Sequence, residues 1–525
     1  MTTNKSQLIP FVTNLNRNVF CLKNLPEVIK GALFSRYSRS DKDLRTIFLD
    51  EFLNAPETSF QGSSNTSQEG VNTPQAEAFY DRVLLSYGDD SIAELGGAHI
   101  ACEWISNIAA KALEDSRIGI SPLEKSTRYV RFDQQKDGKY LYYREPLIML
   151  SAYCLMYESA MDGLFKTYSD LIEPLSKWLA SQYPKDEVTT ERAYANSIKA
   201  KALDILRGLL PMATQTNVGL YGNGRAFEHL LIKLSASPHL EVRELGRSMQ
   251  EELMEVIPSF VKRATTDRGR RQSGRIMVEE ETVAGLKEDV LSYEWSQEPV
   301  KSVQLVEYDN NAENKVVAAI LYTSSLLSFS SICSQVFQLP SSKKEEVIQA
   351  YLGDRETRFD KVGRAFEEVY YTFDILADIG AYRDLQRHRI LSREHQAYTV
   401  NHGYDTPQEL IEAGLDGNYR RAIDYVSEIY GLVSREFSVA AQYMVPMACK
   451  IRWRITLNLR EAYHFIELRS SRQGHPSYRK IAQEMYRQIQ QVHPTLVEGM
   501  LVDMNDYGLE RLVAEQKTDK KMRDL

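Results

Sequence analysis

The sequence predicts an α+β protein in which one helix-rich domain with a small sheet is used twice in tandem. Three observations predict it. The chain has 525 residues, a length that divides into domains of about 100–200 residues. Residues 209–234 echo residues 444–469, and a repeat is the feature that most constrains a fold. Apolar residues recur mainly at helical spacing, with few clear strands.

The repeat comes first. LLPMATQTNVGLYGNGRAFEHLLIKL parallels MVPMACKIRWRITLNLREAYHFIELR. Pro211 and Pro446 open a shared Pro-Met-Ala tripeptide, and Asn223-x-Arg225-x3-His229 falls without a gap on Asn458-x-Arg460-x3-His464. Chance similarity between helices is the weaker explanation. A fainter echo links 302–325, a strand, polar turn and helix, with 18–40, where Val19, Leu22 and Tyr37 stand for Val303, Leu305 and Tyr322. The two copies then run over 18–262 and 302–525. Residues 263–301 between them are basic, then acidic, and Gly269 and Gly274 interrupt the basic part. This segment is expected to be a linker or exposed excursion, and 60–75 a surface loop. Segments 99–115 and 366–388 carry apolar residues every three to four positions and are expected to be helices.

Composition excludes several classes. The chain is 43% hydrophobic and 26% charged, with a net charge of −8. That opposes broad nucleic-acid binding but allows a local basic pocket for a small phosphate. Cys21, Cys102, Cys154, Cys333 and Cys449 lie far apart with no Cys-x-x-Cys pair, as expected of reduced thiols in a cytoplasmic protein without a metal site. The N-terminal residues lack the apolar core of a signal peptide. Val316–Ser342 carries no charge and is long enough to span a bilayer. It is rich in serine, however, and contains Gln335, Gln338 and Pro340. A buried helix followed by a polar turn is expected, not a membrane span.

Three constellations carry chemistry. On an extended strand Glu124, Ser126 and Arg128 share a face, and an acceptor, a hydroxyl and a cation together suit a phosphate-bearing ligand. The alternative is an exposed edge with a local salt bridge. Arg387, His388 and Arg389, with Ser392 beyond, close a long amphipathic pattern. They either complement a helix dipole or grip an anion. Asn458, Arg460, His464 and Arg469 lie along one helix, Arg460 and His464 one turn apart. They line either a ligand or solvent.

Together these segments resemble the flavin-dependent thymidylate synthase family, whose signature reads Arg-His-Arg-x-x-Ser-x-x-Glu-x-Ser-x-Arg-Tyr. The second copy carries its opening as Arg387, His388, Arg389 and Ser392, then departs with His395, Ala397, Thr399 and Val400. The first copy opens with a degenerate Ser116-Arg117-Ile118, then fits every fixed position with Ser121, Glu124, Ser126, Arg128 and Tyr129. The family's arginine four residues before the proline resembles Arg207 in copy one and is Gln442 in copy two. Its helix arginine resembles Arg469 in copy two and is Leu234 in copy one. The flavin-side Ser/Thr-x-x-Glu pattern resembles Ser91-Ile-Ala-Glu94, with only Glu367 matching in copy two, where Arg364 replaces the hydroxyl.

The resemblance implies an enzyme that makes dTMP from dUMP with methylenetetrahydrofolate, FAD and NADPH, and a homodimer equivalent to the family's tetramer. It implies that Glu124, Ser126, Arg128, Arg207, Arg387 and Arg469 hold substrate. Of these, Arg469, Ser126 and Arg387 would be closest to the chemistry. Ser91, Glu94, Arg387, His388, Arg389, Ser392, Asn458, Arg460 and His464 would hold cofactor. The reciprocal set, Ser116, Ile118, Leu234, His395, Ala397 and Gln442, lacks the cations for a phosphate, so Leu234→Arg is expected to do little. Two rivals remain: a related flavin enzyme acting on another pyrimidine nucleotide, and a catalytically decayed nucleotide-binding protein. A Ser–His hydrolase is disfavoured by the lack of a Gly-x-Ser-x-Gly elbow.

Overall fold

In a computed structural model of the protein, the residues described are 5–53, 92–116, 118–291 and 301–523. Ser91, Arg117 and the 60–75 segment fall outside them. The elements used below are, in chain order, α1 (Glu27–Tyr37), β1 (Gly97–Ser106), α2 (Asn107–Glu114), β2 (Ile120–Glu124), α3 (Cys154–Gln182), α4 (Glu191–Leu206), β3 (Gln215–Asn223), α5 (Gly224–Ala236), α6 (Leu240–Val256), α7 (Asp267–Val290), β4 (Val303–Tyr308), α8 (Ala312–Tyr322), α9 (Phe329–Phe337), α10 (Ile379–Leu385), α11 (Asp416–Val433), α12 (Leu459–Ser470), α13 (Pro476–Val492) and α14 (Leu512–Arg523). Strands β5 (Tyr370–Asp378), β6 (Leu391–His395) and β7 (Lys450–Asn458) complete them. The protein is helix-rich with small antiparallel sheets, as its sequence predicts.

Two compact units form, and they cut across the sequence repeat. The smaller comprises residues 1–103, 109–124 and 217–293, the larger 104–108, 125–216 and 294–525.

The smaller unit holds most of a three-stranded sheet in the order β1-β3-β2, with β2 and β3 antiparallel so that Ile120 faces Gly222 and Glu124 faces Val218. Asn223 caps α5, its Oδ1 accepting from the Ala226 N–H at 2.8 Å, a common way to satisfy an orphan donor. Helix α5 packs on α6 and α7, and Arg263 reaches under it to the buried Glu228 at 2.6 Å. The expected linker is largely this long, exposed helix α7. Glycines cost a helix only about 1 kcal/mol each. Gly269 is also needed there, because a Cβ would lie 2.1 Å from the Ala264 carbonyl.

The larger unit holds a four-stranded antiparallel sheet in the order β4-β5-β7-β6. Residues 366–388, expected to be one helix, are instead a short 3₁₀ turn, strand β5 and the seven-residue α10. Tyr371, Phe373 and Ile375 alternate into the core, aromatic and β-branched residues that suit a pleated surface. Asp378 then caps α10 through the Ala381 N–H at 2.8 Å, so the helix starts there and not earlier. Residues 99–115 divide in the same way into β1 and α2.

The uncharged 316–342 stretch is two helices, α8 and α9, with Val316, Val317 and Ala318 buried. Among the described residues no helix is long and apolar enough to cross a membrane. The fainter echo is only partly realised: 302–325 gives β4 and α8, whereas residues 18–40 give α1 after a single bridge between Val12 and Leu22.

Within the larger unit the two Pro-Met-Ala tripeptides meet. Pro211 bridges Pro446 in antiparallel sense. Met212 N–H donates to Val445 O at 2.9 Å and Met447 N–H to Leu210 O at 3.0 Å. Ala213 N–H donates to Tyr443 O at 2.8 Å and Ala448 N–H to Gly208 O at 2.9 Å. Each bond has a mate in which the copies exchange roles, so the seam is a local two-fold ladder. Gly208 belongs there because a Cβ would meet the Tyr419 hydroxyl at 2.3 Å.

Candidate active site

Helices α4 and α10 each carry an aspartate in the last turn, followed three residues later by an arginine: Asp204 with Arg207, and Asp384 with Arg387. Residues so spaced lie one turn apart, and cations are favoured at a helix C-terminus. One arginine crosses over, and the other aspartate is held from outside the two helices. Arg207 donates Nη1 to Asp384 Oδ2 at 2.9 Å. Arg128 grips Asp204 with both arms, Nε to Oδ1 at 2.9 Å and Nη2 to Oδ2 at 2.8 Å, the strong bidentate geometry. Burial opposes ionisation of both carboxylates. Arg128 and Arg511 nevertheless hold Asp204 at about 2, and Arg207, Arg128 and Arg387 hold Asp384 far below the usual carboxylate range.

Tyr478 joins this group to a second one. Its hydroxyl accepts from Arg128 Nη1 at 3.3 Å, and its ring centre lies 5.9 Å from the Arg128 guanidinium and 5.6 Å from that of Arg469. Arg469 donates Nε to His388 Nε2 at 2.8 Å. That bond places the imidazole proton on Nδ1, which faces Glu461 Oε1 at 2.8 Å. Burial, with Arg469 adjacent, keeps His388 neutral well below its ordinary value, and burial pushes Glu461 up to about 7. His464 lies 5.4 Å from His388, ring to ring, with Lys361 Nζ 3.4 Å from its Nδ1. The ligand-type atoms of His388, Glu461 and His464 come within 4.8 Å of one another. Both nitrogens of His388 are already engaged, and Arg469 and Lys361 add positive charge, so the group does not read as a cation site.

The charge balance is uneven. The guanidiniums of Arg128, Arg207, Arg387, Arg469 and Arg511 surround the carboxylates Asp204 and Asp384, while burial raises Asp378 toward its neutral form. Arg207 is 4% exposed, and its Nη2 has no hydrogen-bond partner among the described residues. Buried donors seldom go unsatisfied, so surplus charge and an idle donor together suit an anion. A cavity of about 660 Å³ lies alongside, bordered by Asp204, Arg207, Asp378 and His475. Gly380 leaves Arg207 room, since a Cβ would lie 3.0 Å from its Nε. All these side chains belong to the larger unit.

The structure thus brings together Arg128, Arg207, His388 and Arg469, with Arg387 exposed beside Asp384. Other expected residues are placed differently. Strand β2 ends at Glu124 and the chain turns at 127–129, so Glu124, Ser126 and Arg128 do not share a strand face. Glu124 is buried against Lys111 at 3.0 Å, and Lys111 also pairs with Glu114. Ser126 Oγ accepts from the Arg128 N–H at 3.2 Å, shaping that turn. Asn458 caps α12 through the Glu461 N–H at 2.9 Å, as Asn223 caps α5. Arg460 pairs with Glu367 at 2.6 Å and Arg225 with Glu94 at 2.6 Å, the same bridge in both copies. Arg389 and Ser392 are exposed. Leu234 is 2% exposed and packs where Gly246 has no side chain, so an arginine there would be buried, contrary to the mild effect expected. Asp204, Asp384, Glu461, His475, Tyr478 and Arg511 were not singled out in the sequence. The acid three residues before Arg207 and Arg387 was a readable signal for the first two.

The family described as thymidylate synthase complementing protein has a model that matches residues 50–259 and 304–495. This chain belongs to that family, in two copies. A UPF0159 protein of Chlamydia pneumoniae is 45% identical over 521 residues, 98% of this chain and 97% of its own. A flavin-dependent thymidylate synthase of a Mycobacterium species is 31% identical over 106 residues, 20% of this chain and 39% of its own. The Helicobacter pylori flavin-dependent thymidylate synthase, solved with FAD and dUMP, aligns with 38% of this chain and 100% of its own, at 21% identity and a TM-score of 0.29.

Strand registers align the two copies independently. Ile120 faces Gly222 and Leu391 faces Leu457; Glu124 faces Val218 and His395 faces Trp453. Ser121 and Ser392 therefore occupy corresponding places, as do Glu124 and His395.

Proposed function

We propose that this protein is a flavin-dependent thymidylate synthase with one working site per chain, built from Arg128 and Arg207 of the first copy and Arg387, His388 and Arg469 of the second. The observation that carries the reading is the meeting of Arg207 with Asp384 and of Arg128 with Asp204, with surplus positive charge and an unpartnered buried Arg207 Nη2. A nucleotide monophosphate is a dianion and fits that surplus. Arg128 and Arg207 hold the phosphate, and Ser126 shapes the turn that presents Arg128. Arg469, fixed by His388, meets the uracil and stabilises negative charge developing on the ring. His388, kept neutral with its proton on Nδ1 and Nε2 as acceptor, aims Arg469.

FAD would lie beside His388, where Arg460, His464 and Lys361 offer donors and positive charge to a pyrophosphate; Arg389 and Ser392 are further candidates. When bound, the flavin supplies the hydride chemistry that side chains lack, with NADPH as reductant and methylenetetrahydrofolate as carbon source. Folate, nucleotide and a second chain of a homodimer are the partners. Arg469→Ala is expected to retain flavin and lose most turnover; unchanged turnover removes Arg469 from the reaction.

The test is the absorption spectrum of the purified protein, then dUMP titration. Bound flavin and one dUMP per chain are expected. A protein that holds neither flavin nor dUMP overturns the reading, and two equal dUMP sites per chain overturn the single-site arrangement. Growth rescue of a thymidine-requiring bacterium separates catalysis from binding alone.

A further inference from the structure

The C-terminal segment past residue 495, where the family match ends, enters the same arginine cluster. Glu510 and Arg511 are each 4% exposed and dock as a charged dipeptide on one face of α4. Lys201 donates to Glu510 at 2.8 Å. Three residues on, Asp204 accepts from Arg511 Nη2 at 3.2 Å. Arg511 Nη1 also reaches the Arg128 carbonyl at 3.4 Å, and its guanidinium lies 4.3 Å over the Tyr129 ring. Beyond it, α14 packs along α4, with Asp519 taking the Thr190 hydroxyl at 2.9 Å and Gln516 donating to Thr189 at 2.7 Å. Arg511 is thus clamped from both sides.

Such a clamp is more than stability requires. Buried ion pairs contribute little net stability against their desolvation. Here two guanidiniums share one carboxylate, and Arg511 Nε has no partner among the described residues. One turn away Lys201 is in turn shared by Glu510 and Glu409, so the spare positive charge lies at the Arg128 end of the clamp, where an anion would meet it.

We infer that Arg511 is a positioning residue of the nucleotide site: it holds Asp204, and through it the Arg128 fork, and it supplies the added positive charge that makes the site select a phosphorylated nucleoside over a bare one. The inference rests on the proposed nucleotide reading and adds to it a residue from outside the family-matched region.

The experiment compares equilibrium binding of dUMP and deoxyuridine to the full-length flavin-loaded protein and to Arg511→Ala, Arg511→Gln and Arg511→Lys. Flavin content and circular dichroism report on folding. Arg511→Ala and Arg511→Gln are expected to weaken dUMP about tenfold or more, the scale of a lost charge-assisted contact, and to leave deoxyuridine within about twofold. Arg511→Lys, which keeps the charge, is expected to recover part of the dUMP preference. Equal weakening of both ligands marks Arg511 as merely structural and overturns the inference, as does unchanged dUMP binding in the folded Arg511→Gln variant. Wild-type protein that ignores dUMP overturns the nucleotide reading itself, an outcome distinct from either.

Discussion

Replacing Asp204 by Asn removes one negative charge from beneath two guanidiniums while keeping the side chain's shape. Asp204 meets Arg128 at 2.8 Å and Arg511 at 3.2 Å, with side-chain exposures of 6%, 14% and 5% respectively. Two routes give the size of the effect. Its carboxyl sits at about 2 instead of 3.8 despite burial, and at about 1.4 kcal/mol per pH unit that difference amounts to roughly 2–3 kcal/mol. Independently, removing one partner from a buried ion pair costs about 3–5 kcal/mol, and an Asn oxygen still accepting one bond moves the loss to the lower end. About 2–3 kcal/mol is a large share of the roughly 5–15 kcal/mol that holds a typical fold. The assay is the urea midpoint by circular dichroism, with and without inorganic phosphate. Asp204→Asn should unfold earlier, and phosphate should raise its midpoint more than that of the wild type, because the anion replaces the missing charge. A midpoint equal to wild type, or an equal phosphate effect in both proteins, refutes the charge-balance reasoning.

Leu234→Arg buries an unpaired cation in α5 and is expected to cost about 3 kcal/mol or more; a thermal midpoint near that of wild type would show that α5 yields there. Burial holds His475 neutral at about 3, below its ordinary 6.5. The unfolded chain therefore takes the proton first, and the stability present above about pH 6.5 drains away as pH falls toward about 3, at roughly 1.4 kcal/mol per unit. Asp204, held at about 2, adds its own loss only below its ordinary carboxylate range. His475→Gln should lessen, not abolish, the fall of the urea midpoint between about pH 6.5 and 4.5, because His239 and His388 are also held below the ordinary histidine value by burial; parallel slopes in the two proteins would refute the assignment.

The sequence disclosed the duplication because ungapped spacing survives divergence: Asn223 and Asn458 cap equivalent helices, and Arg225 and Arg460 form equivalent bridges. It disclosed the arginines of the candidate site because a motif names them. It misjudged 99–115 and 366–388, where apolar residues at helical spacing also fit two-residue alternation, and Asp378 decided the boundary by capping. It could not show that Glu124 turns inward to Lys111, since a strand's end is invisible to alternation. Nor could it show Asp204 under Arg511, a contact between residues 307 apart in the chain. Long-range charge pairing leaves no local periodicity.

The ladder joining Leu210 and Met212 to Val445 and Met447 is made of main-chain groups alone. Peptide groups are the same whatever residues carry them, so this join is insensitive to substitutions in the flanking helices. One half could lose the arginine equivalent to Arg469, and the other the arginine equivalent to Arg207, without parting company. Apart from Gly208, which Tyr419 crowds, such a join leaves the side chains of either half free to diverge.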